Sequence, residues 1–143
     1  MIILWLENDK LIIRQTGTPG TLRVQRGGMW TDEFGQRFTI EGNLDIGALQ
    51  TKSEKYSLHY SEYPDLFNQL FGALSSHNDT MIVTAKPGYT LLSEGAPVHV
   101  NGGEHGGLHK SDTITSMIVA GTDKQPIKRR MHDLKEYFLS LYK

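Results

Sequence analysis

The residues best suited to chemistry lie in one glycine-rich stretch, Asn101 to His109, with the sequence NGGEHGGLH. Four glycines surround His105, so the backbone can turn sharply and no bulky neighbour shields the imidazole. A metal-binding histidine needs access from one side and firm placement from the other, and the apolar segment from Met117 onward could supply the placement. Two interpretations stay open on these residues alone. His105 is a metal ligand or catalytic group, or it is a surface histidine in a turn.

The other histidines are weaker candidates. His99 stands between two valines, which favours packing, and His59 alternates with apolar residues and is predicted on the solvated side of a strand. His77 falls in a polar cluster that ends a helix, and His132 suits a solvated helix start. No His-x-x-x-His pair falls on a predicted helix, and the serine-hydrolase elbow, dinucleotide fingerprint and P-loop patterns are absent from the sequence.

Five cations lie close together before and within the last predicted helix. They are Lys124, Lys128, Arg129, Arg130 and Lys135. Aromatic residues suited to base stacking are not interleaved with them, so they indicate a solvated helix entrance. With a formal net charge of −1, the chain is not expected to bind nucleic acid.

The glycine-rich stretch must be positioned by the elements around it. The first half of the chain is predicted to be rich in β-strands. Short apolar or alternating segments, separated by turn residues, predict an antiparallel meander of five strands. A sixth strand is possible where Tyr56, Leu58 and Tyr60 alternate with polar residues. The five predicted strands lie around Ile2–Leu6, Leu11–Ile13, Leu22–Val24, Met29–Trp30 and Phe38–Ile40.

The second half mixes helices and strands. A helix is predicted from Pro64 to Leu74 and another from Asp133 to Tyr142, with short strands at Met81–Val83 and Met117–Ala120. Between them, Tyr89 to Asp112 is predicted to be a loop, and long loops in compact domains often carry function. The predicted fold class is therefore α+β, with an N-terminal antiparallel β-meander and a small sheet flanked by two helices.

Composition restricts the class of protein. The chain has 143 residues, 38% of them hydrophobic, and no cysteine, which suits a globular domain and excludes thiolate zinc sites and disulfides. The longest apolar run, Met1 to Leu6, is too short to span a bilayer, and it lacks the features of a signal peptide. We expect a soluble, cytoplasmic protein with no membrane association.

Taken together, the second half resembles the C-terminal part of the alkaline phosphatase superfamily, in the branch of bacterial type I phosphodiesterase/nucleotide pyrophosphatase-like proteins. Four segments occur in the order of that family: Tyr63–Asp65, Met81–Tyr89, Gly102–Asp112 and Ile118–Gly121. The family motif is Gly-Gly-x-His-Gly-Ser-Leu, followed by Asp-Ser and an apolar strand ending in Ala-Gly. This chain departs from the family at two positions, with Gly107 in place of Ser and Ser116 in place of a Pro.

The resemblance implies a two-metal hydrolase of phosphate esters, with two divalent ions, zinc for example, about 4 Å apart. Only His105 is carried over, as one metal ligand, and Gly102, Gly103, Gly106 and Gly107 would form the supporting loop. No catalytic residue is assigned in this chain, because neither the family's nucleophile segment nor its Asp-His-Gly segment is recognisable. We therefore expect no tightly bound metal in the isolated chain.

The resemblance also implies an arrangement and partners. We expect a single domain over residues 1–143, formed of a β-rich part (1–60) and a mixed part (61–143), that belongs to a larger hydrolase. Its partners would be the remainder of its own polypeptide and a phosphate ester, and it could form a homodimer. The alternative is a non-catalytic interaction domain of a degenerate homologue that keeps the fold and has lost the site.

Overall fold

A computed structural model describes residues 1–51, 55–75, 79–95 and 106–142 of the chain. It has a mixed α+β arrangement, which confirms that part of the predicted fold class. A 3₁₀ turn at Met131–Asp133 leads into the last helix. The elements are β1 (Ile2–Glu7), β2 (Lys10–Gln15), β3 (Thr18–Asp32), β4 (Arg37–Gly42), β5 (Leu49–Thr51), β6 (Ser57–Tyr60), α1 (Leu66–Leu74), β7 (Ile82–Thr84), α2 (Lys110–Thr113) and α3 (Leu134–Leu141).

All the described strands belong to one seven-stranded sheet. Its order is β5-β6-β3-β2-β1-β7, and β4 pairs with β3 beside that path. Strands β1 to β4 form an antiparallel meander, with Leu4 opposite Ile13 and Ile13 opposite Leu22. Strand β6 is the exception, because it pairs in parallel with the end of β3. The predicted meander is therefore confirmed in its direction and its position along the chain.

The core lies between one face of this sheet and helix α1. Alternate residues of the strands point toward the helix, and Leu4, Ile13 and Leu22 are completely buried there. On the helix, Phe67 meets Phe38 of β4 edge to face, with ring centroids 5.0 Å apart. The side chains of α1 that face the sheet are Leu66, Phe67, Leu70 and Leu74, the helical spacing expected for one apolar face.

Two of the five strands predicted for the meander, Leu22–Val24 and Met29–Trp30, form one strand, and the short strand β5 is not among those predicted. Gly27 and Gly28 were expected to break the chain, but both take positive φ angles, 83° and 111°, and lie inside the long strand β3. The register of β3 against β4 shifts between Arg26 and Trp30, which marks a β-bulge. The glycines therefore bend one strand instead of separating two.

The predicted second sheet is also wrong for the described residues. Strand β7, at the predicted strand Met81–Val83, pairs antiparallel with β1, so that Ile3 lies opposite Val83, and the predicted strand Met117–Ala120 has no regular secondary structure. The outer edge of β1 has backbone N–H and C=O groups that need partners, and pairing with β7 satisfies those groups on both strands. Residues 114–120 have no regular secondary structure, and no backbone hydrogen bond joins 115–121 to another described residue.

Both predicted helices form, with shorter limits. Helix α1 begins at Leu66 because Asp65 takes a left-handed conformation, φ 52°, which no helical residue adopts. Its carboxylate makes no capping hydrogen bond. The predicted loop from Tyr89 to Asp112 ends early, because α2 begins at Lys110.

Candidate functional site

The structure describes only the second half of the glycine-rich motif. The predicted ligand His105 and the supporting Gly102 and Gly103 lie outside the described residues. Gly106 takes a positive φ of 92°, and the Gly107 amide donates a hydrogen bond to Asp112 Oδ2 at 3.1 Å. A Cβ atom at Gly107 would collide with that carboxylate oxygen, so a serine at this position would require Asp112 to move.

The segment that follows the motif is attached to the body of the protein at Glu62. The Lys110 amide donates to the Glu62 carbonyl oxygen at 2.8 Å, and Lys110 Nζ donates to Glu62 Oε1 at 3.0 Å. His109 Nε2 lies 2.9 Å from Glu62 Oε2. Glu62 stands between β6 and α1, so these bonds connect the motif segment to the sheet and the main helix. We call these three residues the Glu62 anchor.

The hydrogen-bond partners of His109 indicate which of its two ring nitrogens carries the hydrogen. The Ser111 amide donates to His109 Nδ1 at 3.2 Å, so Nδ1 is an acceptor and Nε2 carries the hydrogen that Glu62 accepts. Tyr63 contacts the His109 ring edge to face, with 5.7 Å between the ring centroids, and this contact restricts the orientation of the imidazole. His109 therefore acts as the N-cap of α2.

The environment of Glu62 keeps it ionised. Hydrogen bonds from Lys110 and then from His109 lower the pKa of the Glu62 carboxyl below its ordinary value, because both bonds favour the charged form. Ser111 Oγ also lies 2.9 Å from His109 Nδ1, which gives the order serine, histidine, glutamate. The Ser111 amide already donates to that nitrogen, so the arrangement is explained by helix capping.

A second polar cluster lies beneath the first residues of α1. Asp32 and Asp65 are both buried, and Gln36 Nε2 bridges them, at 2.8 Å from Asp32 Oδ2 and 2.7 Å from Asp65 Oδ1. The Tyr60 hydroxyl donates to Asp32 Oδ2 at 3.0 Å. Burial, and then the charge of Asp32, raise the pKa of the Tyr60 hydroxyl above its ordinary range, so it remains a donor.

Arg130 ties the C-terminal helix to this cluster. Its Nη1 lies 3.3 Å from both carboxylate oxygens of Asp65, and its Nε donates to Asp133 Oδ2 at 2.7 Å. The guanidinium also stacks 4.5 Å from the ring centroid of Phe34. We call Arg130, Asp65, Asp133 and Phe34 the Arg130 anchor. Arg130 was predicted to be a solvated surface cation, but its side chain is only 16% exposed.

Between the two anchors the chain has little regular secondary structure, and it contacts α3 where the Tyr137 hydroxyl donates to the Lys124 carbonyl oxygen at 3.0 Å. We call residues 111–129 the arm. Ile118 is 92% exposed and Ile127 fully exposed, and Ile114 and Met117 are also exposed. A shallow cavity of about 320 Å³ separates Thr115, Met117 and Val119 from Gln125 and Arg129 on the returning half.

The described residues do not form a metal site by themselves. Within 1–51, 55–75, 79–95 and 106–142, no group of three His, Cys, Asp or Glu side chains could hold a metal ion. The carboxylates of both anchors already accept hydrogen bonds from fixed donors. A dinuclear metal site involving this chain would therefore need ligands beyond these groups.

Two of the other four histidines considered from the sequence lie within the described residues. His59 alternates with the buried Leu58 and Tyr60 on β6, as expected, and lies 3.7 Å from a carboxylate oxygen of Glu33. His132 is beside Asp133 at 3.2 Å, at the start of the C-terminal helix. His77 and His99 lie outside the described residues.

Known proteins add no identification. Comparisons with protein families, curated proteins and solved structures find no match for this chain. In the part of the chain that the structure describes, no helix is long and apolar enough to cross a membrane.

Proposed function

We propose that this chain is the C-terminal portion of a metal-dependent phosphodiesterase/phosphatase-like hydrolase of the alkaline phosphatase superfamily. In this proposal it donates His105 as one metal ligand and is not catalytic alone. Gly102, Gly103, Gly106 and Gly107 support that histidine. The complete enzyme would hold two divalent ions, zinc for example, which stabilise charge on the attacking and leaving oxygens of a phosphate ester. Its compartment would be the cytoplasm.

The arm is the observation that carries the proposal. Residues 114–120 have no regular secondary structure and are rich in β-branched and apolar side chains, and 115–121 make no backbone hydrogen bond with another described residue. Ile118, 92% exposed, lies in that segment. An apolar, β-branched segment with unpaired backbone groups favours a strand that pairs with chain outside the described residues. The remainder of the polypeptide is the partner that the motif resemblance favours.

The Glu62 anchor supports the position of the motif. It attaches the chain four residues after His105 to the end of β6, through three hydrogen bonds of 3.0 Å or less. The apolar Leu108 packs against the core between the motif and the anchor. The chain that leaves the motif thus has a defined point of attachment.

The experiment uses the longest natural polypeptide that contains this chain. Hydrolysis of bis(p-nitrophenyl) phosphate should be lost on treatment with a chelator and restored by zinc. His105→Ala should lower kcat/KM by at least about 100-fold, because loss of a metal ligand weakens the site. His59→Ala, at a half-buried histidine of β6 outside the motif, is the matched control and should retain activity.

The isolated chain gives the complementary measurement. It should hydrolyse the same ester no faster than background, because one candidate ligand cannot hold two ions. Turnover by the isolated chain that survives repurification and is proportional to its concentration would contradict the proposal that this chain is not catalytic alone. Full activity of His105→Ala in the longer polypeptide would contradict the role of the histidine.

The alternative is a non-catalytic interaction domain of a degenerate homologue. The exposed apolar side chains of the arm favour this function, because large exposed apolar patches mark interaction sites. It predicts that the longer polypeptide lacks zinc-dependent turnover while the arm still mediates binding. In that case Ile118→Asp should abolish association, and zinc-dependent turnover should be absent both before and after the substitution.

A further inference from the structure

The imidazole of His109 makes two attachments at once, and each uses a different ring nitrogen. Nδ1 accepts from the Ser111 amide at 3.2 Å, which caps α2, and Ser111 Oγ lies 2.9 Å from the same nitrogen. Nε2 donates to Glu62 Oε2 at 2.9 Å. Only the neutral ring can make both attachments, because an imidazolium carries a hydrogen on each nitrogen and cannot accept a hydrogen bond.

We propose that His109 is a pH-sensitive cap of α2, which holds the first turn of that helix while the ring is neutral and releases it when the ring takes up a proton. The added hydrogen on Nδ1 faces the hydrogen of the Ser111 amide, so their hydrogen bond is lost. Ser111 Oγ then accepts from Nδ1 and donates to Asp112 Oδ1, 3.3 Å away. The bond from Nε2 to Glu62 remains and becomes charge-assisted on both sides. Acid therefore removes the cap and leaves the Glu62 anchor in place.

Charged groups of both signs lie around the His109 ring in the described part of the chain. Glu62, from the segment before α1, and Asp112, from α2, favour the imidazolium, whereas Lys110, which binds the same Glu62 carboxylate, opposes it. Tyr63 contacts the ring and stays neutral, since burial, and then the charge of Glu62, raise the pKa of its hydroxyl. Of these types of side chain, histidine is the one that ordinarily changes charge between about pH 5 and 8.

The cap matters because α2 holds the end of the glycine-rich motif. The Asp112 amide donates to the His109 carbonyl oxygen at 2.9 Å, so the position of Asp112 depends on this first turn. Asp112 Oδ2 in turn accepts from the Gly107 amide at 3.1 Å. Releasing the cap should therefore also speed the hydrogen exchange of the Gly107 amide. A pH-dependent regulation of the motif follows, and this last step rests on the proposed function.

Nuclear magnetic resonance of the isotope-labelled chain between about pH 5 and 8 tests the cap. Long-range proton–nitrogen spectra follow the protonation of each ring nitrogen of His109. A coupling between the Ser111 nitrogen and His109 Nδ1 across the hydrogen bond should be present while the ring is neutral and disappear as the ring is protonated. Exchange of the Ser111 amide, corrected for the intrinsic effect of pH, should become about fivefold faster, as is typical for the loss of one cap. The Lys110 amide, which is bound to the Glu62 carbonyl oxygen, should keep its exchange rate.

Two substitutions separate the cap from other effects of pH. His109→Asn supplies a side-chain oxygen that caps helices well and does not titrate, so the corrected exchange of the Ser111 amide should become independent of pH. His132→Asn removes a histidine that is 52% exposed at the start of the C-terminal helix. It is the matched control and should retain the pH dependence of the Ser111 amide. Unchanged amide exchange in β1 and β2 shows that both variants fold.

Two results would overturn the proposal. One is a Ser111 amide whose coupling and exchange rate persist after the His109 ring is protonated. The other is a His109→Asn variant that keeps the pH dependence of the unmodified chain. If that variant fails to fold, the coupling in the unmodified chain decides alone. The measurement involves no metal or ester, so a failure of the cap is distinguishable from a failure of the proposed hydrolase function, which only the turnover of the longer polypeptide reveals.

Discussion

At the scale of single residues, the chain satisfies its buried carboxylates with donors that come from distant parts of the sequence. Asp32 accepts from the Tyr60 hydroxyl and from Gln36, and Gln36 also donates to Asp65. Among the described residues, no buried side-chain nitrogen or oxygen lacks a hydrogen-bond partner. Such a cluster stabilises one arrangement of its segments, because each missing donor weakens the hydrogen bonding of a buried carboxylate.

Removing the Tyr60 hydroxyl tests the importance of this cluster. Tyr60→Phe should lower the free energy of unfolding by about 1.5–3 kcal/mol, since the hydroxyl donates to an ionised, buried carboxylate. Urea denaturation measures the change. Tyr89→Phe, at a site 70% exposed, should stay within about 0.5 kcal/mol, and equal effects of the two changes would contradict the role of the cluster.

Acid should weaken the Arg130 anchor. The hydrogen bond from Arg130 lowers the pKa of Asp133 below its ordinary 3.8, with His132 and Lys128 adding smaller favourable charge effects. A lowered folded-state pKa gives stability that is present above the ordinary value and is lost as pH falls through the lowered one. Glu62 behaves in the same way, because Lys110 and His109 lower its pKa.

The measurement compares urea denaturation at about pH 7 and about pH 3, across the range in which these carboxylates take up protons. Arg130→Gln should reduce the stability lost between the two pH values, because Asp133 then loses the partner that lowers its pKa. Arg129→Gln should leave the loss unchanged. An identical loss in the Arg130 variant would show that the anchor does not contribute to acid sensitivity.

Neither anchor could be predicted from sequence. His109 and Glu62 are 47 residues apart, and Arg130 and Asp65 are 65 residues apart. Periodicity and capping rules describe neighbours within a few residues, so they carry no signal for such pairs. The assignment of Arg130 to the surface followed from its four charged neighbours in sequence, and it was wrong because tertiary contact decided its environment.

At the scale of elements, one glycine determines how β4 meets β3. Gly42 has φ 106°, and a Cβ atom there would collide with the carbonyl oxygen of Thr21 on the paired strand. The obstacle is backbone inside a sheet, which cannot turn aside as a side chain can. This residue therefore needs glycine for two reasons, the dihedral angle and the close approach.

Gly42→Ala should accordingly destabilise the fold. The strained backbone angle alone costs about 1–3 kcal/mol, and displacement of Thr21 adds to that. Gly35→Ala is the matched control, since Gly35 also has a positive φ, 77°, with open space around its Cα. Thermal denaturation should show a clearly larger loss of stability for Gly42→Ala than for Gly35→Ala. Equal losses would contradict a contribution from the close approach of Gly42 to Thr21.

The elements were easier to predict than their pairing. Apolar runs located β1 and β2, alternation located β4 and β6, and the apolar stripe located α1. The partner of β7 was not predictable, because any apolar strand edge could receive it and the choice of β1 depends on the assembled sheet. Helix α2 was missed, since its single turn is too short to produce a periodic pattern.

At the scale of the whole molecule, the apolar surface is unevenly distributed. The sheet and α1 enclose a continuous core, while the arm carries Ile114, Ile118 and Ile127 in exposed positions. Scattered exposed apolar residues are normal, but several within one segment of the chain favour association.

The isolated chain should therefore self-associate, with a dimer as the first species, at moderate concentration. Light scattering across a wide concentration range measures this. Ile118→Asp should shift the association to higher concentration, because it places a charge in the patch, whereas Gln25→Asp on the exposed side of β3 should not. A monomer at every concentration would contradict this prediction.

The pairing of β1 with β7 has a consequence for synthesis on the ribosome. Strands β1 to β4 are neighbours in sequence and can form hairpins early, but the outer edge of β1 stays uncovered until Ile82–Thr84 emerges. During that interval an apolar strand, Ile2 to Leu6, offers a free edge to other nascent chains. Slow translation between β4 and β7 should therefore lower the yield of correctly folded protein, because the exposed edge has longer to aggregate.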